Sequence, residues 1–151
     1  MILEIITEGN AVLRQTAKPI SKVTKGLERI ADDMLETMYE APGVGLAAPQ
    51  VGVSKRIVVV DVGDGPIVLF NPEVIEKRSR QKDVEGCLSV PGIVGKVERS
   101  ETVTVRGLSV GGRAVDYRAT GLLARVLQHE IDHLDGILFI DKATDIGPEE
   151  E

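Results

Sequence analysis

Leu27, Ile30, Ala31, Met34, Leu35 and Met38 recur at steps of three and four, with polar residues between them. That spacing places them on one face of a helix packed against a core, and the sequence Ala41, Pro42, Gly43 predicts its end. Upstream, the apolar start Ile2, Leu3, Ile5, Ile6 leads into a short helical turn expected over 10–16, with Pro19 marking its limit. Beyond residue 50 the pattern changes. The segments RIVVVD at 56–61 and IVLF at 67–70 are β-branched runs, and GDGP at 63–66 between them reads as a hairpin turn. Further strands are expected over 73–77, 97–107 and 113–119. Val103 and Val105 alternate with Thr102, Thr104 and Arg106, and Gly111 and Gly112 supply the turn before Arg113. Helical spacing then returns with Leu122, Leu123, Val126, Leu127, Ile131 and Leu134, for which Thr120 is the expected N-cap and Gly136 the stop. Helices near the N-terminus, mainly antiparallel sheets and a last helix make an α+β fold rather than a wound parallel sheet.

At 151 residues and 42% hydrophobic, the chain is expected to build one core. No apolar run approaches the roughly 20 residues that cross a bilayer, and the start MILE lacks the basic residues of a secretory signal. A soluble, cytoplasmic protein without membrane partners is the expectation. One cysteine cannot form an internal disulfide, which fits a reducing compartment and leaves a thiol for chemistry. A net charge of −6 argues against direct nucleic-acid binding, because phosphate affinity comes from clustered Lys and Arg. The basic run KRSR at 77–80 reads as a solvated strand or loop. The end, TDIGPEEE at 144–151, is acidic and broken by Gly-Pro, so a single domain over 1–142 is expected to be followed by a frayed tail over 143–151.

The two histidines, His129 and His133, sit four apart on the last predicted helix, with Glu130 beside the first. Side chains four apart share a helix face, so two imidazoles can reach one ion while Glu130, rotated by about 100°, addresses a bound water. A buried histidine on an apolar helix can equally be a hydrogen-bonded core residue. Cys87, in EGCLSVPG at 85–92 ahead of a Pro-Gly bend, reads either as the third ligand or as a buried structural thiol. In GVGLAAPQ at 43–50 the glycines allow close backbone approach, and the segment lacks the Gly-Lys-Ser/Thr ending of a phosphate loop. Gln50 there is either a surface amide or a donor aimed at developing negative charge.

In this order and spacing, the segments at 43–50, 85–89 and 128–136 resemble the GxGLAAxQ, EGCLS and QHExDHLxG signature of peptide deformylases, and the resemblance extends over roughly residues 1–142. It implies a metal-dependent hydrolase that removes the formyl group from the N-terminal formyl-methionine of newly made polypeptides and releases formate. It further implies metal ligation by Cys87, His129 and His133, with Fe²⁺ as the native ion, one per chain, and Zn²⁺, Ni²⁺ or Co²⁺ able to substitute. Hydroxide on the metal would attack the formyl carbon, with Glu130 as base and then acid, and Gln50 and the Leu88 N–H would meet the oxyanion. Gly45 would bind the substrate backbone as an added strand, beside Gly43. Val44, Leu122, Val126 and the aliphatic stem of Arg125 would line a slot for the methionine side chain, although each of the three apolar residues could equally be core. Glu85 and Arg99 are read either as support behind the ligands, with Arg99 paired to Asp132, or as solvated surface charges.

Two rival readings remain. A zinc endopeptidase shares HExxH, but usually takes its third ligand downstream, and no histidine follows His133. A non-catalytic metal- or peptide-binding module would be free to lose Gln50, Cys87 and Glu130, all present here. Many bacterial deformylases carry a long C-terminal helix after the segment matching 137–141, for which this chain has no residues, so ribosome association by that route is not expected.

Overall fold

A computed structural model describes residues 1–150; Glu151 lies outside the described residues. The stripe from Leu27 becomes α1 (Lys25–Glu40), and the Thr24 hydroxyl accepts the Leu27 N–H at 3.2 Å to cap its first turn. The turn expected over 10–16 is a 3-10 turn, Ala11–Arg14, capped by the Asn10 side chain. A five-stranded antiparallel sheet follows, formed by β1 (Gly45–Ala47), β2 (Ile57–Val60), β3 (Ile67–Arg78), β6 (Thr102–Leu108) and β7 (Ala114–Thr120), which lie side by side in that order. A second sheet consists of β4 (Gln81–Cys87), β5 (Val90–Arg99) and β8 (Thr144–Pro148). The histidine-bearing helix is α2 (Gly121–Leu134).

The run of four apolar residues in β2 is explained by cover on both faces of the sheet. Ile57 and Val59 belong to one cluster with Ala31, Met34 and Met38 of α1, whereas Val58 and Val60 belong to another with Ala124, Leu127 and Ile131 of α2. Alternate side chains of a strand point to opposite faces, so a strand sandwiched between two helices is apolar throughout. The second sheet packs separately, with Val90 and Val97 against Leu13, Leu138 and Phe139. The fold is α+β, as the hydropathy pattern implies.

Several expected boundaries are corrected. The strands expected over 67–70 and 73–77 are one strand, β3, which continues through a bulge at Asn71 and Pro72. Asn71 leaves the ladder to bind another segment, since its side chain accepts the Ile20 N–H at 2.8 Å and donates to the Ile20 carbonyl at 2.7 Å. The strand expected over 97–107 is broken at Ser100 and Glu101, where the chain passes from one sheet to the other. Gln128 of α2 grips that crossing by accepting the Ser100 N–H at 3.1 Å and donating to its carbonyl at 2.9 Å. Residues 144–148, expected to fray, form β8 instead, because the open edge of β5 offers an antiparallel partner. Among the described residues, no helix is long and apolar enough to cross a membrane.

Candidate active site

Three segments meet where the two sheets approach α2. The first is β1 with the turn behind it. A Cβ on Gly45 would lie 2.6 Å from Glu130 Oε2 and 2.7 Å from Val126 Cγ1, so only glycine lets β1 run this close to the helix. A Cβ on Gly43 would meet Leu88 Cδ1 at 2.9 Å. Gln50, buried behind the strand, has a fixed amide: its Oε1 accepts the Ala47 N–H at 2.9 Å, so its Nε2 faces Ser89 Oγ at 3.1 Å and Cys87 Sγ at 3.5 Å.

The second segment is the β4–β5 hairpin. Cys87 ends β4 opposite Val90, and Leu88 and Ser89 form the turn between them. The expected bend at Pro91 and Gly92 is a bulge within β5: the register jumps from Cys87↔Val90 to Gly86↔Val94. Among the described residues, the Leu88 N–H takes part in none of the turn hydrogen bonds. The chain near the N-terminus ties the first two segments together, with the Ile6 N–H on the Gln50 carbonyl and the Glu8 N–H on the Ser89 carbonyl, each at 2.7 Å.

The third segment is α2, whose buried face carries His129, Glu130 and His133. One ligand atom from each of Cys87, His129 and His133 lies within 4.8 Å of the other two, and Cys87 Sγ is 3.3 Å from His133 Nε2. His129 donates through Nδ1 to Glu85 Oε1 at 2.8 Å, leaving its Nε2 for the cluster. Glu85 is held in turn by Arg99, through Nε at 2.5 Å and Nη2 at 2.9 Å, and by Arg125 Nη1. Arg99 also donates to Asp132 at 2.9 Å, the pairing expected from the sequence.

The electrostatics follow from burial and partners. Burial works against the charge on Glu85, yet His129 and Arg99 outweigh it and hold the carboxyl at about 2. Burial also disfavours an imidazolium at His129, but the charge of Glu130 and the hydrogen bonds of Cys87 and Glu85 push its pKa up to about 10. His133 is held well below the usual histidine range by burial and by the charge of His129. Burial lifts Glu130 to about 7 against the attraction of His129 and Arg99. Two buried polar atoms of this cluster have no hydrogen-bond partner among the described residues, Glu130 Oε1 and His133 Nδ1. One thiol, two imidazoles and an unpartnered carboxylate oxygen beside them fit a divalent cation with a position left open for a reacting molecule.

A cleft of about 500 Å³ opens over this cluster. Of the residues singled out from the sequence, Gly43, Val44, Gly45, Gln50, Cys87, Leu88, Leu122, Arg125, Val126, His129 and Glu130 line it. His133 does not; it is fully buried beneath. Val44 and Leu122 stand exposed at the rim, whereas Val126 is buried and shared between cleft and core. Arg125 lines the cleft, and beyond its stem the guanidinium is buried, paired to Glu85 and hydrogen-bonded to the Val97 carbonyl at 3.0 Å. Ser89 is not distinguishable as a site residue from the sequence; its only signal is a hydroxyl two residues after Cys87, and its role depends on a contact 39 residues away.

The polypeptide deformylase family matches residues 2–149. A peptide deformylase of Halothermothrix orenii is 59% identical over 150 residues, covering 98% of this chain and 97% of the relative. One of Carboxydothermus hydrogenoformans is 52% identical over 145 residues, covering 96% and 95%. Among solved structures, a peptide deformylase from Thermotoga maritima superposes with a TM-score of 0.93 at 44% identity, covering 95% of this chain and 99% of that one. One from Synechococcus elongatus, in complex with actinonin, gives 0.92 at 44%, covering 95% and 79%.

Proposed function

This chain belongs to the polypeptide deformylase family, enzymes that remove the N-terminal formyl group from nascent peptides, and from that premise we propose how its own residues do so. Cys87, His129 and His133 hold one divalent ion, natively Fe²⁺, with Zn²⁺, Ni²⁺ or Co²⁺ able to substitute. When bound, the ion supplies Lewis acidity that lowers the pKa of water from 15.7 towards about 7 and polarises the formyl group. The convergence of those three ligand atoms beside the unpartnered Glu130 Oε1 carries this reading.

Glu130 Oε1 takes the proton of the attacking water and returns it to the amine nitrogen as the C–N bond breaks, giving formate and a free N-terminus. Gln50 Nε2 and the Leu88 N–H donate to the formyl oxygen as negative charge builds on it. Losing one such donor typically costs about 10²–10³ in rate. β1 is an edge strand, so the substrate backbone pairs along Gly45 as an added strand. The methionine side chain lies between Val44, Leu122, Val126 and the stem of Arg125, with Gly43 leaving room at the mouth. The setting is the cytoplasm, where nascent chains emerge.

The test is formate release from formyl-Met-Ala-Ser by anaerobically purified protein, with bound metal quantified. One metal per chain and rapid release are expected, with activity lost on aeration of the iron form and kept by the nickel form. No release from metal-loaded protein would sink the assignment.

A further inference from the structure

Glu85 receives more positive charge than an ordinary carboxylate behind a histidine ligand. Its two oxygens accept from Arg99 twice, from His129 Nδ1 and from Arg125 Nη1, which together occupy about the four lone-pair sites a carboxylate offers. The two arginines are not equivalent. Arg99 divides its charge between Glu85 and Asp132, at 2.5 and 2.9 Å, whereas Arg125 pairs with no other acid among the described residues and otherwise meets only carbonyl oxygens. A carboxylate on Nδ1–H makes the opposite nitrogen a stronger donor, and a cation on that carboxylate weakens the effect.

We propose that Arg125 is a positioning residue that limits how strongly Glu85 pulls on His129, and so sets how tightly the Cys87, His129 and His133 site holds its metal. This rests on the metal reading above. Removing the Arg125 charge has two consequences of the same sign: Glu85 turns more of its negative charge on the His129 N–H, and one positive charge leaves the neighbourhood of a bound cation. Arg99 remains to keep Glu85 ionised. A purely structural role gives the opposite sign, because a loosened Glu85 would orient His129 less well and weaken binding.

The experiment uses the full chain with its metal removed, titrated with Ni²⁺ or Co²⁺ against a competing chelator. Wild type is expected to bind one ion. Arg125→Met, which keeps the apolar stem and the wall of the cleft, is expected to bind about tenfold more tightly, opposite in sign to the loss that changes behind metal-bound histidines usually bring and at the lower end of its size. Arg125→Lys keeps the charge and is expected to bind as wild type does. Unchanged or weaker binding by Arg125→Met overturns the proposal. Arg125→Gln removes the same charge and takes its place if that variant does not fold. Failure of wild type to bind any ion would instead overturn the metal reading, which keeps the two failures distinct.

Discussion

The two helices cover opposite faces of the same strand and are built on different terms. α1 buries Ala31, Met34 and Met38, and its one buried polar group, Thr37, is satisfied by the Asp33 carbonyl and the Leu3 N–H. α2 buries every residue from Ala124 to Ile131, among them Arg125, Gln128, His129 and Glu130. Burying such groups is unfavourable unless each finds a partner, and here Ser100, Glu85 and Val97 supply most of them. The exceptions among the described residues are Arg125 Nε, Glu130 Oε1 and His133 Nδ1, and the last two lie at the proposed catalytic centre. One helix is therefore a packing element, and the other gives up stability where a ligand or substrate must be met.

Exchanging the roles of the two helices by mutation tests that contrast most directly. Glu130→Gln is expected to lower formate release by about 10²–10⁴, the range for a general acid–base group, without lowering folding stability, because it removes a buried acid whose Oε1 has no partner. The checks are kcat at full metal loading and a urea unfolding curve for the same preparation. On the other helix, Met34→Ala empties a fully buried site and is expected to cost about 2–5 kcal/mol in stability while leaving kcat per folded molecule unchanged. A Met34→Ala enzyme that folds normally but turns over slowly would show that α1 shapes the site as well as the core.

The same contrast explains what could be read from the chain. α1 is legible because its stripe has helical period and Ala41, Pro42 and Gly43 mark its end. The pair His129 and His133 is legible because i to i+4 spacing is itself geometry. The break at Ser100 is not, since alternation continues through Val97, Val103 and Val105, and the groups that hold the crossing, Gln128, Gln81, Ser79 and Gly121, reach it from other segments. The pairing of the Arg125 guanidinium is not legible for a similar reason: its partner Glu85 lies 40 residues upstream, and nothing local points to it. β8 is not legible because its exposed sequence resembles a frayed end, and the partner edge on β5 exists only after folding.

The smallest expected effect concerns how the helices begin, where two threonines look alike in sequence. Thr24 accepts the Leu27 N–H and satisfies a free donor of α1, so Thr24→Ala is expected to cost about 1 kcal/mol. The Thr120 side chain makes no capping bond to α2 and instead reaches Thr102 Oγ1 at 3.3 Å in an exposed position. The start of α2 is held by Gly121, whose φ of 61° lies in the left-handed region, whose N–H donates to the Glu101 carbonyl, and whose carbonyl accepts from Gln81. Thr120→Ala is therefore expected to fall within about 0.5 kcal/mol of wild type, as surface changes usually do. Gly121→Ala should cost more than either threonine change, because alanine resists that backbone conformation. Urea midpoints for the three variants decide the order. A Thr120→Ala loss as large as that of Thr24→Ala would mean that α2 begins by the same capping rule as α1, and that its positioning owes less to the two sheets it joins.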